Sequence, residues 1–186
     1  MSERTPLLVF AHGDEASAFA DVPHLITGVG KVNAAVALAE ALREGNVDRV
    51  VVLGTAGVVG EGADRLSLDT VYQVTGLVQH DFSLPSPTVV PAGEVLLAET
   101  ATMATGDQFV KDDAQRAHIA GLGAQLVDME GYAYATLCAR LGVELQLFKI
   151  PSDFADSSTT DEEWDEIVFA KSRQLRGFWD ERLRLG

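Results

Sequence analysis

The residues with chemical potential in this chain gather where apolar runs end. In "LVDMEGYAYATLCARLG", residues 126–142, Asp128 and Glu130 sit two apart at the junction of an apolar run and a small-residue helix. Carboxylates are rarely fully buried unless they are paired or hydrogen-bonded, so carboxylates at such a junction are placed to hold something. Similar junctions recur in "AHGDE" (11–15), "TGVGK" (27–31), "GTAGV" (54–58), "QHD" (79–81), "TGDQFV" (105–110) and "KIPSDFAD" (149–156). Each is a weak signal alone. "TGVGK" lacks the third glycine of a dinucleotide fingerprint and the glycine spacing of a P-loop, which disfavours a dinucleotide-binding protein.

These junctions need elements to carry them. "PLLVFA" (6–11) is a short continuous apolar run, as expected of a strand covered on both faces. "HLITGVG" (24–30) is a second run ending on glycines, and "KVNAAVALAEALREG" (31–45) has helical spacing with Gly45 as a stop. "DRVVVLGTAGVVG" (48–60) reads as a buried strand followed by a glycine loop, and 69–83 as extended structure broken near Gly76. A Pro-rich loop spans 84–93, one or two strands fill 93–107, and a polar helix covers 111–123. A strand at 124–130, a helix from Gly131, a strand within 143–156 and a long amphipathic C-terminal helix complete the chain. Strands alternating with helices predict an α/β fold with a mixed, mainly parallel sheet, in which ligands bind at the carboxyl ends of strands. No linker or repeat divides the chain, so residues 1–186 are expected to form a single domain.

Composition narrows the function. Acidic residues outnumber basic ones 28 to 14, a formal charge of −14, which argues against nucleic-acid binding because phosphates require a basic patch. The one cysteine, Cys138, excludes an internal disulfide and reads as a small core residue. His12, His24, His80 and His118 are scattered without metal-ligand spacing, so no metal is expected. With no secretory apolar region and no apolar stretch long enough for a membrane, the expectation is a soluble, cytoplasmic protein.

In order along the chain, "TGVGKVNAA", "GTAG", "QHD", "GDQFV", "DMEG" and "PSDFAD" resemble the nucleoside phosphorylase/nucleosidase superfamily, and most of all its 5′-methylthioadenosine/S-adenosylhomocysteine nucleosidases. The resemblance runs from Val9 to the C-terminal helix. It implies a three-layer α/β/α arrangement, a purine nucleoside as substrate, no cofactor beyond water, and cleavage of the N-glycosidic bond through an oxocarbenium-like sugar. It implies a homodimer, built partly from helix 31–45 and segment 79–92.

The resemblance also assigns roles. Asp153 matches the general acid that protonates the purine N7, oriented by Ser152. An ordinary Asp has a pKa of roughly 3.9, so the site must raise it; the competing role for Asp153 is to cap a turn. Glu15 matches the glutamate that activates water, with Asp14 as rival. Glu130 matches the ribose-hydroxyl acceptor, whose charge favours the cationic sugar. A helix N-terminal carboxylate is the alternative for Glu130 and fits Asp128 better; Asp128 receives no direct chemistry. Met129 is to pack on the ribose. Phe109 and Val110 are to flank the purine. Thr55 and Gly57 match a turn whose backbone N–H groups hold water or an oxyanion. His80 and Asp81 read as structural or interface-lining.

Three departures qualify the likeness. The segment between Glu15 and Gly28 is too short for the family's usual hairpin, which would leave one side of the site or an interface open. Lys149 replaces an Arg, keeping the charge without a bidentate fork. Trp164 sits near the aromatic that closes over the 5′-substituent and would reshape that pocket. The glycine loops contain Lys31 but no Arg to hold phosphate, favouring hydrolysis over the alternatives, a purine nucleoside phosphorylase or a non-catalytic nucleoside-binding relative.

Overall fold

The computed structural model describes residues 6–158 and 161–183, with the side chains of 161–164 outside that description. Strand β1 (Leu7–Phe10) lies between β2 (Leu25–Ile26) and β3 (Arg49–Val58), parallel to both. Their continuous apolar runs are explained by cover on both faces. Leu8, Phe10, Val51 and Leu53, with Phe148 and Ile150 of β7 (Glu144–Asp153), face Leu175 and Phe178 of α4 (Asp161–Phe178). The intervening Val9, Val50 and Val52 face the other way. They pack with Ala34 and Leu38 of α1 (Lys31–Glu44) and Ala135 and Cys138 of α3 (Gly131–Leu141). The period-two alternation of side chains thus builds three layers from one apolar run.

The remaining strands are β4 (Tyr72–Gln79), β5 (Thr100–Thr105) and β6 (Leu126–Asp128), with α2 (Asp113–Gly121) between β5 and β6. The seven-stranded sheet runs β2-β1-β3-β6-β5-β4-β7, and β7 pairs back onto β3. Five of its strands therefore close into a ring. Only β3–β6 and β4–β7 are antiparallel, so the expected mixed, mainly parallel sheet is found, with a closure that strand runs alone did not announce.

Several local readings change. "GTAGV" is not a loop or turn. β3 continues through it to Val58, pairing with β7 and shifting register at Ala56 and Gly57. The expected break at Gly76 is a register shift inside a continuous β4. Only Thr100–Thr105 of 93–107 is a strand; the preceding stretch is irregular and tied down by Gln73, whose Oε1 accepts from Leu96 N at 2.7 Å. The run at 24–30 yields just two strand residues, because Gly28 and Gly30 turn the chain into α1 at φ of 86° and 96°, angles that glycine adopts without penalty.

The short segment after Glu15 is packed. Phe19 is buried against Phe10, ring centroids 4.8 Å apart. α4 holds the segment from outside: Ser172 Oγ accepts from Ala18 N at 3.0 Å, and Arg176 forks onto Asp21 while donating to Ala18 O. No helix among the described residues is long and apolar enough to cross a membrane.

Gly131 opens α3 where a Cβ would lie 2.4 Å from Met103 Cε, 2.9 Å from Leu77 Cδ2 and 3.0 Å from Asp128 Oδ2. Gly131→Ala is expected to cost about 1–3 kcal/mol, the usual penalty of overpacking a core. Chemical denaturation checks this, and an unchanged midpoint would mean that α3 can retreat freely.

Candidate functional site

Strand ends converge on a cavity of about 330 Å³. Glu15 arrives on the bend after β1, Thr55 to Gly57 on β3, Asp128 to Glu130 between β6 and α3, and Ser152 and Asp153 at the end of β7. Phe109 and Val110 line it from the loop after β5. Val110 is buried, whereas Phe109 is 40% exposed, a half-open aromatic beside polar groups.

Each carboxylate is fixed by a different element. Glu15 is buried; its Oε1 accepts from Thr55 N and Thr55 Oγ1, both at 2.7 Å, and its Oε2 accepts from His12 N at 3.3 Å. The Thr55 backbone N–H is thus taken by Glu15 rather than presented to an oxyanion, which corrects the expected turn. Asp14 does not line the cavity and pairs with His12 at the surface, so the geometry brings Glu15 rather than Asp14 to the site. Gly54 and Gly57 are needed for close approach. A Cβ on Gly54 would lie 3.1 Å from Glu15 Oε1 and 3.2 Å from Lys149 Nζ, and one on Gly57 would lie 3.2 Å from Asp153 Oδ1.

Asp153 Oδ2 is 2.6 Å from Ser152 Oγ, and its Oδ1 accepts from Ala155 N at 2.7 Å. Ala155 has φ of 49°, a left-handed conformation that costs a non-glycine residue energy and often marks a functional turn. Asp153 therefore caps this turn while lining the cavity.

Glu130 occupies the N-cap position of α3 but makes no side-chain cap. Its carboxylate reaches instead to the loop before α1, where Oε1 accepts from Gly30 N at 2.9 Å. Asp128 caps the helix, with Oδ2 accepting from Gly131 N at 2.9 Å. Burial and the adjacent Asp128 charge push the Glu130 pKa up to about 8, against the opposing pull of Lys149 and the Gly30 amide. Glu130 therefore holds a proton more tightly than an ordinary carboxylate. Lys149 is fully buried, 3.1 Å from Asp128 Oδ2. Burial works against its charge, but Asp128, Glu15 and Glu130 together outweigh burial and raise its pKa, so it stays an ammonium.

Sequence reasoning missed several lining residues. His12, Val29 and Gln108 flank residues already singled out, and that adjacency was the available signal. Asp165 lines the cavity from α4 next to Trp164, so the same adjacency was available for it. Trp164 lies in the same turn of α4, and its side chain is outside the described residues. Arg65, which follows the second glycine loop, stacks over Phe154 at 3.8 Å. Among the described residues no Arg or Lys lines the cavity, and no group of three or more His, Cys, Asp or Glu is arranged to hold a metal ion.

A mixed, ring-closed α/β sheet presenting carboxylates from several strand ends to one cavity defines an acidic small-molecule site. The chain belongs to the phosphorylase superfamily, whose family model matches residues 6–177. A 5′-methylthioadenosine/S-adenosylhomocysteine nucleosidase of Marinomonas sp. is 28% identical over 182 residues, spanning 82% of this chain and 77% of the relative. That of Geobacillus kaustophilus is 29% identical over 177 residues, spanning 81% and 75%. Among solved structures, a futalosine hydrolase mutant of Helicobacter pylori superposes with a TM-score of 0.81 at 17% identity, covering 96% of this chain and 100% of that one. The S. pneumoniae 5′-methylthioadenosine/S-adenosylhomocysteine nucleosidase, solved with a transition-state inhibitor, gives 0.79 at 20% identity, covering 92% and 95%.

The raised Glu130 pKa carries a stability consequence. A carboxyl whose folded pKa of about 8 exceeds its usual 4.5 contributes stability that is full below 4.5 and lost as pH rises through 8. Wild-type thermal stability is expected to fall between pH 6 and 9, and Glu130→Gln to flatten that fall. Parallel melts at both pH values check it; equal slopes for the two proteins would place the proton elsewhere.

Proposed function

We propose that this chain hydrolyses the N-glycosidic bond of a purine nucleoside of the 5′-methylthioadenosine/S-adenosylhomocysteine kind, releasing free purine and the ribose moiety. The observation that carries the reading is the convergence of Glu15, Glu130 and Asp153 on one cavity that no Arg or Lys lines among the described residues. Such a cavity suits a neutral ligand that turns cationic, and suits a phosphate poorly.

In this reading Asp153, oriented by Ser152, gives its proton to the purine N7 as the C1′–N9 bond breaks. Water adds to C1′ and its proton passes to Glu15. Thr55 occupies Oε1 of Glu15 with two bonds, while Oε2 has the longer one from His12 N, so Oε2 is the oxygen assigned to water. Glu130 meets the ribose hydroxyls, Met129 packs on the sugar, and Phe109 and Val110 flank the base. Gly57 leaves room for the Asp153 carboxylate. Lys149 supplies the buried counter-charge, and Trp164 is assigned to the 5′-substituent pocket. Residues 1–186 act as one nucleosidase domain. A cytoplasmic location accompanies the reading, since Cys138 is a buried free thiol, compatible with a reducing compartment.

A homodimer completes the proposal. Val32 and Val36 on α1 are 72% and 54% exposed, and Leu84 and Val90 are 64% and 66% exposed, apolar surface that a partner would cover. Val29, at the same end of α1, is exposed and also lines the cavity. Sedimentation is expected to show a dimer at micromolar concentration, and monomer alone would remove this part.

The deciding experiment follows products in phosphate-free buffer. Free purine and a reducing sugar are expected; turnover that requires phosphate and yields a ribose 1-phosphate would reassign the chain as a phosphorylase. Asp153→Asn is expected to lower kcat by roughly 10²–10⁴ on a purine nucleoside but less on a nitrophenyl riboside, whose leaving group needs no proton. Glu15→Gln is expected to slow both alike. Equal loss on both substrates for Asp153→Asn would return that residue to a structural role.

A further inference from the structure

Asp128 borders the cavity, yet its carboxylate is taken up by the protein. Oδ1 accepts from Thr105 Oγ1 at 2.6 Å; Oδ2 accepts from Gly131 N at 2.9 Å and lies 3.1 Å from Lys149 Nζ. Thr105 Oγ1 accepts in turn from Tyr132 N at 2.9 Å. One carboxylate thereby joins β5, β6, α3 and β7. The Asp128 and Lys149 side chains are each only 2% exposed. Charges so withdrawn from solvent act strongly on their neighbours.

Their neighbour is Glu130. The charged and titratable groups that act on it are Asp128 from β6, Lys149 from β7, Glu15 after β1 and Tyr134 from α3, and it accepts from the Gly30 amide before α1. The Tyr134 hydroxyl is itself occupied by Thr27 Oγ1, 2.5 Å away. Of these, Asp128 acts against a charge on Glu130 and Lys149 acts for one. Asp128 also holds the Lys149 ammonium to itself, which keeps that ammonium from settling on either substrate-facing glutamate.

We propose that Asp128, whose carboxylate is taken up by the protein, is a positioning residue that with Lys149 sets the charge with which Glu130 meets the ribose. The proposal rests on the reading of Glu130 as the ribose-facing group. A neutral nucleoside then meets a Glu130 whose charge the neighbouring Asp128 opposes. A sugar that becomes cationic meets an acid poised to ionise close to working pH, releasing its proton to solvent. The favourable charge is thereby expressed with the transition state more than with the ground state, which is the condition for faster chemistry rather than tighter substrate binding.

The test has two arms on the full chain. The first follows the protonated-carboxyl infrared band of Glu130 in ligand-free protein against pH, assigned by its loss in Glu130→Gln. The second follows, over the same pH range, the affinity of a nucleoside analogue with a cationic iminoribitol ring and of its neutral counterpart. In wild type, cation affinity is expected to rise with pH and level off near the Glu130 midpoint, while the neutral analogue stays flat. Asp128→Asn removes the opposing charge and frees Lys149, two effects of one sign, so both midpoints are expected to drop by roughly a pH unit or more. Lys149→Met is expected to move them up, and the double variant to return them towards wild type. An unmoved band midpoint in the variants that fold, whatever their melting temperature, would reduce Asp128 to a helix cap and overturn the proposal. Should Asp128→Asn not fold, the upward shift in Lys149→Met decides, and its absence overturns the proposal equally. A shifted band with cation affinity flat in pH would instead sink the ribose reading of Glu130, and the proposal with it.

Discussion

A lysine ammonium buried at the centre of the sheet constrains this molecule more than any other group. Removing Lys149 from water is costly, and the cost is offset only where opposite charges and hydrogen bonds are close and well placed. Asp128 supplies the contact at 3.1 Å, and Glu15 and Glu130 add longer-range attraction. That requirement brings β1, β6 and β7 to one place. Asp128 in turn is held by Thr105 from β5 and by the α3 amide, so the closure of the sheet and the placement of the site are one arrangement seen twice. Gly54 is small because Glu15 and Lys149 both occupy the space a Cβ would need.

The elements that are set by local pattern were legible in the sequence. The apolar runs of β1, β3 and β7 and the helical spacing of α1 and α3 are short-range signals, and each gave the right element. The ring closure was not legible, since it depends on β3 pairing with two partners far away in sequence. β6 makes that closure with three residues, too few for a periodicity. The glycines of "GTAGV" misled for a related reason. Glycine commonly marks a turn, but Gly54 and Gly57 are there for close approach inside a strand. Asp165 was passed over beside Trp164, because α4 carries it to the cavity from the far end of the sequence.

The carboxylates divide by what holds them. Glu15, Glu130 and Asp153 were singled out by the family resemblance, and all three line the cavity. Asp128 was set aside as a helix-terminal carboxylate, and it does cap α3. What the sequence could not convey is that the cap is also the ion-pair partner of Lys149 and the like charge beside Glu130. One side chain thus fixes a helix, a strand and a protonation state. Lys149 fits this setting: a compact ammonium needs one close partner, whereas a guanidinium fork would ask for two acceptors in a plane.

The short segment after Glu15 is held from outside by α4. Ser172 and Arg176 grip the backbone at Ala18, and Arg176 also pairs with Asp21 and Asp180 and lies 5.7 Å over the Phe19 ring. Phe19 fills the space beneath, against Phe10 of β1. Glu15 is therefore fixed from two sides, by Thr55 on the sheet and by a segment clamped to the C-terminal helix. The helix that steadies Glu15 also carries Asp165 to the cavity. A displacement of α4 would loosen the bend that holds Glu15 and withdraw a wall residue together, so the far end of the chain is mechanically part of the site.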